Sequence, residues 1–191
     1  MADTSFFDLY TEEHFRFSPD EIALLLQGFD SYTVKKSEAI YNAGEDVSQI
    51  YYLKKGTAKY HMIYPDGSSQ TVAYSKASSF LGIINWLPLH QTINYCTAVT
   101  SCEIVICPLE QLLARLREHN LMEKMLLFVL GASRHAYSNL TTLLANDRVQ
   151  LVDVLRNHQK LTLQETADFI GCSRVQVSRI CKKLKDEREG S

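Results

Sequence analysis

The chain has 191 residues, 46% of them hydrophobic, with 20 Lys and Arg against 22 Asp and Glu and a formal net charge of −2. This composition supports packed cores in one large or two small domains, and it excludes a disordered chain and a general polycation. No window approaches the roughly 20 apolar residues of a membrane span, and Asp3, Asp8, Glu12 and Glu13 stand where a signal peptide starts basic, so no membrane partner and a cytoplasmic location are expected. The five cysteines (Cys96, Cys102, Cys107, Cys172 and Cys181) are odd in number and spaced unlike zinc pairs. They read as small buried hydrophobes in a reduced compartment.

Residues 19–29 carry Ile22, Leu25, Leu26 and Phe29 behind Ser18, the pattern of a short capped amphipathic helix. From Ala39 to Ile106 short segments rich in Tyr, Ile, Val and Thr alternate with Gly44, Gly56, Asp66-Gly67 and Gly82, which predicts a sandwich or barrel of short strands. Its clearest hairpin joins Thr57–Tyr64 to Gln70–Tyr74 through Pro65-Asp66-Gly67-Ser68. After Pro108 the apolar spacing changes to three and four, giving a short helix through Leu109, Leu112, Leu113 and Leu116. A long helix follows from Leu121 to Leu144, with an apolar stripe of Leu121, Met125, Phe128, Ala132, Leu140 and Leu143 and with Gly131 open to a close neighbour. Such a stripe needs a partner, either a second copy in a two-fold dimer or the chain's own β-domain. A further helix is expected over Arg148–Asn157.

Two helix starts then follow in quick succession. Thr162-Leu163-Gln164-Glu165 and Ser173-Arg174-Val175-Gln176 both have the capping-box pattern, and Gly171 sits between them as a helix stop. Leu163, Ala167 and Ile170 can face Val177, Ile180 and Leu184, with Cys172 buried in the turn, so the segment reads as a helix-turn-helix. Residues 171–185 hold Arg174, Arg179, Lys182, Lys183 and Lys185 with no acid, a charge pattern suited to phosphates. A rotation of about 100° per residue puts Val175, Ser178, Arg179 and Lys182 opposite the core, with Ser173, Arg174 and Gln176 at the exposed start. Arg174 and Arg179 suit guanine or phosphate, Gln176 adenine or phosphate, and Val175 a thymine methyl, while Lys182 and Lys183 suit the DNA backbone.

These residues resemble the CRP/FNR family of transcription regulators. Gly44-Glu45, Tyr51-Tyr52-Leu53, Lys55-Gly56 and Phe80-Leu81-Gly82 are similar to the family's β-roll, and Ile170-Gly171-Cys172-Ser173-Arg174 with Val177, Arg179, Ile180 and Leu184 resembles its recognition helix. The resemblance implies an α+β chain: a cyclic-nucleotide-binding-like β-roll (a double-stranded β-helix or jelly roll) over 1–118, a long dimerisation helix over 119–145, and a helix-turn-helix over 146–191. It implies a homodimer on a double-stranded DNA operator, with RNA polymerase as a further possible partner and no enzymatic activity. Family members usually continue into a β-hairpin wing. Lys185 to Ser191 is polar and holds no such pattern, so the wing is expected to be missing and DNA binding to be weaker for it.

Departures from the family bear on the effector. Nucleotide-binding members place a ribose-binding Glu after Phe-Leu-Gly and a later Arg-Ser pair on the phosphate; here those positions hold Ile83 and Thr92-Ile93. Cyclic AMP is therefore not expected, and with no cysteine before Cys96 neither is an iron-sulfur cluster. The roll is rich in aromatics, in keeping with the CprK-like branch, whose effectors are chlorinated phenols. A small organic effector is expected near Tyr60, Tyr74, Trp86, Tyr95, His135 and Tyr137, although these aromatics could equally fill a small β core, and His61 or His135 could serve a haem. Two other classes are weighed. A cupin-like enzyme would need clustered metal ligands, whereas the six histidines are scattered. A sensor or interaction protein with a truncated, DNA-incompetent C-terminal domain is the other alternative.

Overall fold

The computed structural model describes residues 17–86, 91–158 and 161–189. Helix α1 (Pro19–Leu26) begins with Ser18 Oγ accepting from the Glu21 amide while the Glu21 carboxylate accepts from the Ser18 amide. It stops three residues short of the end predicted from apolar spacing, because Gly28 turns the chain at φ 75°. Phe29 instead lies under the Arg115 guanidinium, 3.9 Å from its ring centre, and Arg115 also donates to the Leu25 carbonyl at 2.8 Å.

Among the described residues, eight strands form two antiparallel four-stranded sheets: β1 (Ser31–Val34), β2 (Ala39–Tyr41), β3 (Gln49–Lys55), β4 (Thr57–Ile63), β5 (Ser69–Lys76), β6 (Ser79–Leu81), β7 (Tyr95–Ala98) and β8 (Cys102–Pro108). One sheet runs β1-β8-β3-β6 and the other β2-β7-β4-β5. Strand β1 is absent from the sequence reading because three of its four residues are exposed, so it shows no buried alternation. Its pairing with β8 holds it in the sheet. The β4–β5 hairpin forms as expected, with Gly67 at φ 80° and the Asp66 carboxylate accepting from the Ser68 amide at 2.9 Å.

The inner faces of the sheets meet in a core of Tyr41, Leu53, Ala58, Leu81, Cys96, Ala98, Cys102 and Ile104. Behind the first sheet, Ile50, Tyr52, Phe80, Val105 and Cys107 pack on α1, α2 (Leu109–Glu118) and α3 (Met122–Ala145). Leu121, Met125, Phe128 and Ala132 are therefore buried within the chain itself. Of the two partners weighed for the stripe, the chain's own β-domain takes these four; the side chains of Leu140 and Leu143 lie outside those described. A different line on α3 faces outward at three- and four-residue spacing: Leu126, Leu130 (63% exposed), Ser133 and Tyr137 (69% exposed). A Cβ added at Gly131 would meet nothing within 4 Å in this chain.

Helix α4 (Arg148–Asp153) starts from a capping box of Asp147 and Gln150 and relaxes into a π-helical turn, Val154–His158, where the sequence predicts continuous α-helix. Helices α5 (Leu163–Ile170) and α6 (Arg174–Glu189) follow. The expected polar tail after Lys185 is helical through Glu189. No described helix is long and apolar enough to cross a membrane, and no group of His, Cys, Asp or Glu among the described residues could hold a metal ion.

Gly56 and Gly67 separate two costs of a side chain. Gly56, at φ 98°, would bring a Cβ to 2.6 Å from the Ser101 carbonyl oxygen, whereas Gly67, at φ 80°, has open space. Gly67→Ala is expected to cost about 1 kcal/mol from backbone strain alone and Gly56→Ala at least about 3 kcal/mol, read as the shift in urea unfolding midpoint.

Candidate nucleic-acid interface

Helix α6 is placed by two caps and one buried contact layer. At the start of α5, Thr162 Oγ1 accepts from the Glu165 amide at 3.2 Å and the Glu165 carboxylate accepts from the Thr162 amide at 2.7 Å. Gly171 ends α5 in the left-handed region (φ 69°, ψ 44°), its N–H and that of Cys172 both returning to the Ala167 carbonyl. Ser173 Oγ then accepts from the Gln176 amide at 3.2 Å, and Gln176 Oε1 accepts from the Ser173 amide at 2.8 Å. Val177 and Ala167 are fully buried against Val152 of α4, and Leu163, Ile170, Cys172, Ile180, Cys181 and Leu184 close around them. Val152 is the member the sequence pattern does not announce, because it comes from outside the helix pair. Cys172 and Cys181 are only partly buried, short of the burial expected of them from sequence, and burial pushes the Cys172 thiol pKa up.

With one face of α6 fixed this way, Ser173, Arg174, Val175, Gln176, Ser178, Arg179, Lys182 and Lys183 are all exposed. Val175, Ser178, Arg179 and Lys182 occupy the side opposite Val177, and Val175 is 58% exposed although apolar. An isolated exposed valine needs no explanation, but here it sits between two arginines at a helix start. Gln176 is more constrained than its exposure suggests. Its Oε1 also accepts from Ser173 Oγ at 3.1 Å, so bidentate pairing with adenine would require opening the cap. Its Nε2 is the atom left to face a phosphate. At the far end, Arg188 donates to Asp153 at 2.7 Å, and Lys183–Glu187 and Lys185–Glu189 form exposed pairs at 3.7 and 3.5 Å.

The expected effector residues are not one cluster. Tyr60 faces the roll interior, where its hydroxyl accepts from Ser75 Oγ at 3.5 Å. Tyr95 stacks on His61 (centroids 5.4 Å apart), with His61 Nε2 and Thr97 Oγ1 2.9 Å apart. Tyr74 is buried between the roll and the helix-turn-helix, among Leu155, Leu161 and Phe169. Tyr137 is exposed on α3. The side chains of Trp86 and His135 lie outside the described residues. Strand alternation separates Tyr60 from Tyr74, a distinction that a list of aromatics cannot make.

Inside the roll the sequence reading missed an uncharged polar group. Buried Tyr41 donates to Asn94 Oδ1 at 3.3 Å and accepts from Asn85 Nδ2 at 3.5 Å. Its ring stacks on Tyr51 at 5.8 Å, and burial raises its phenol pKa well above the ordinary value. Ile83 is buried in the helix-side core. Thr92 is tied to the β2–β3 turn through Glu45 and Asn42, and Ile93 is 54% exposed.

The model for the cyclic nucleotide-binding domain matches residues 32–119, and that for bacterial regulatory proteins of the crp family matches residues 160–188. The chain thus joins a cyclic nucleotide-binding domain to a C-terminal segment of the crp family of bacterial regulatory proteins. It is a DNA-binding transcription regulator with a helix-turn-helix. It is 29% identical over 178 residues to the global nitrogen regulator of Synechocystis sp., covering 83% of this chain and 78% of that one. Its fold is similar to that of FixK2 from Bradyrhizobium japonicum (TM-score 0.69, 17% identity, covering 83% and 85% of the two chains). It is also similar to that of CprK complexed with OCPA (TM-score 0.66, 18% identity, covering 91% and 86%).

The Ser173 cap gives a direct test of how α6 is held. Ser173→Ala is expected to lower stability by about 1 kcal/mol, and Ser173→Asp to recover most of it, measured by thermal unfolding followed by circular dichroism.

Proposed function

We propose that the chain is an effector-responsive, sequence-specific regulator that binds a two-fold DNA operator as a homodimer. The observation that carries this reading is the exposed, acid-free stretch Arg174–Lys185 of α6, set over a buried face and anchored by the Ser173 cap. Arg174 and Arg179 are the base readers in this proposal, with Val175 and Ser178 as near contacts. Lys182, Lys183 and the Gln176 amide nitrogen face phosphate. The outward line Leu126, Leu130 and Tyr137 on α3 supports self-association, since apolar side chains at this spacing suit a matching helix related by a two-fold axis.

The proposed effector is a small non-nucleotide molecule in the roll. No cationic side chain stands at the positions expected for a cyclic phosphate: Ile83 is in a core, Thr92 holds a turn, and Ile93 points to solvent. An unpaired buried phosphate would cost several kcal/mol. The interior hydroxyls and amides of Tyr41, Tyr60, Ser75, Asn85 and Asn94 suit an uncharged, hydrogen-bonding ligand.

Selection from random duplexes followed by mobility shift at fixed salt tests the DNA assignment. Arg179→Ala is expected to cost about 1–3 kcal/mol and to relax preference at one base pair. Lys183→Ala should weaken all sequences alike and lower the salt slope by about 1. No loss of selectivity in Arg174→Ala and Arg179→Ala would end this assignment. Sedimentation equilibrium tests the helix face: Leu130→Glu is expected to weaken the dimer at least tenfold, through an unpaired charge in the apolar seam.

A further inference from the structure

Strand β5 is a wall shared by two compartments. Successive side chains of a strand point to opposite faces, and Tyr74 and Ser75 divide accordingly. Ser75 donates to the Tyr60 hydroxyl within the roll. Tyr74, 3% exposed, is inserted among Leu155 of the π-helical turn, Leu161, and Phe169 of α5, each fully buried, with Val99 and Ile170 at the margin. Its hydroxyl donates to Asp168 Oδ2 at 3.5 Å, while the other oxygen of that carboxylate accepts from Gln164 at 2.7 Å. Burial, then the negative charges of Asp168 and Glu165, push the Tyr74 pKa up, so the phenol keeps its proton and can donate.

A second contact runs from the hairpin tip. The Tyr64 hydroxyl donates to Gln70 Oε1 at 2.8 Å, and Gln70 Nε2 donates to the Phe169 carbonyl at 3.5 Å. Both contacts fall on α5, the helix on which α6 is seated through Ala167 and Val177. They leave the reading residues of α6 exposed, so they do not mask the DNA face. They constrain the attitude of that face relative to the roll. The two hydrogen bonds are at the long limit and hence weak, so the buried ring of Tyr74 is the main fastening.

We propose that Tyr74 is a positioning residue that fixes the reading head on the outer face of β5, so that displacement of β5 from inside the roll is passed to α6. This rests on the reading above that the chain binds two half-sites as a dimer. An attitude constraint matters when two heads must engage together and hardly at all when one engages alone.

The test uses the full chain on a selected two-half-site duplex and on the single half-site cut from it, with amide hydrogen exchange of residues 69–76 and 163–170. Tyr74→Ala is expected to weaken two-half-site binding by about tenfold or more while leaving half-site binding within about twofold. Exchange in 163–170 should rise while that in α6 stays unchanged. Tyr74→Phe keeps the ring and should stay within about threefold of wild type on both duplexes. Gln70→Ala, which removes no fully buried side chain, should raise exchange near Phe169 in a normally folded protein. Equal loss on both duplexes, unchanged two-half-site binding in Tyr74→Ala, or unchanged exchange in 163–170 would each overturn the proposal. If the wild type selects no duplex, the DNA reading fails, and exchange in Tyr74→Ala and Gln70→Ala alone decides whether the fastening exists.

Discussion

The left-handed backbone at Gly171 reverses the chain between α5 and α6, and the orientation of every residue on α6 depends on that reversal. A β-carbon is disfavoured in this conformation, so glycine lets the turn close in three residues. The short turn forces the two helices to cross at their small residues. Ala167 and Val177 meet there on Val152, and once Val177 is buried the helical period puts Val175, Ser178, Arg179 and Lys182 on the open side. The exposed face is thus defined by what is packed beneath it.

The helix-turn-helix was legible in the sequence because its determinants are local. Cap and partner lie three residues apart at both Thr162 and Ser173, and a glycine marks the break, so each signal sits within one short window. The β4–β5 hairpin was legible for the same reason. The arrangement of aromatics was not. Tyr74 meets Asp168 across 94 residues and Tyr41 meets Asn94 across 53, and no local pattern reports such pairings. The α3 stripe shows an intermediate case: its period was plain, but the sequence could not say that the sheet would take Met125 and Phe128 and leave Leu126 and Leu130 outside.

The roll shares the fold of its solved neighbours and carries a small polar cluster within its core. Tyr41 rests on Tyr51 and bonds to two asparagines, so neutral polar groups stand inside a core otherwise made of Leu53, Leu81 and Ile104. Paired with one another they cost little, whereas the same groups unpaired would be expensive to bury. Under the proposed function, a molecule entering this interior would have to replace those hydrogen bonds.

The far end of α6 is held to α4 by Arg188 and Asp153, an exposed ion pair on a helix whose other end carries the arginines and lysines of the proposed interface. Simple salt screens exposed pairs of this kind as it competes for phosphate contacts. Raising ionic strength consequently acts on the protein's own clasp as well as on the nucleic acid. A counterion count drawn from binding isotherms alone would attribute both effects to released phosphate-bound ions, and the part belonging to the clasp can be subtracted only by following the free protein through the same range of salt.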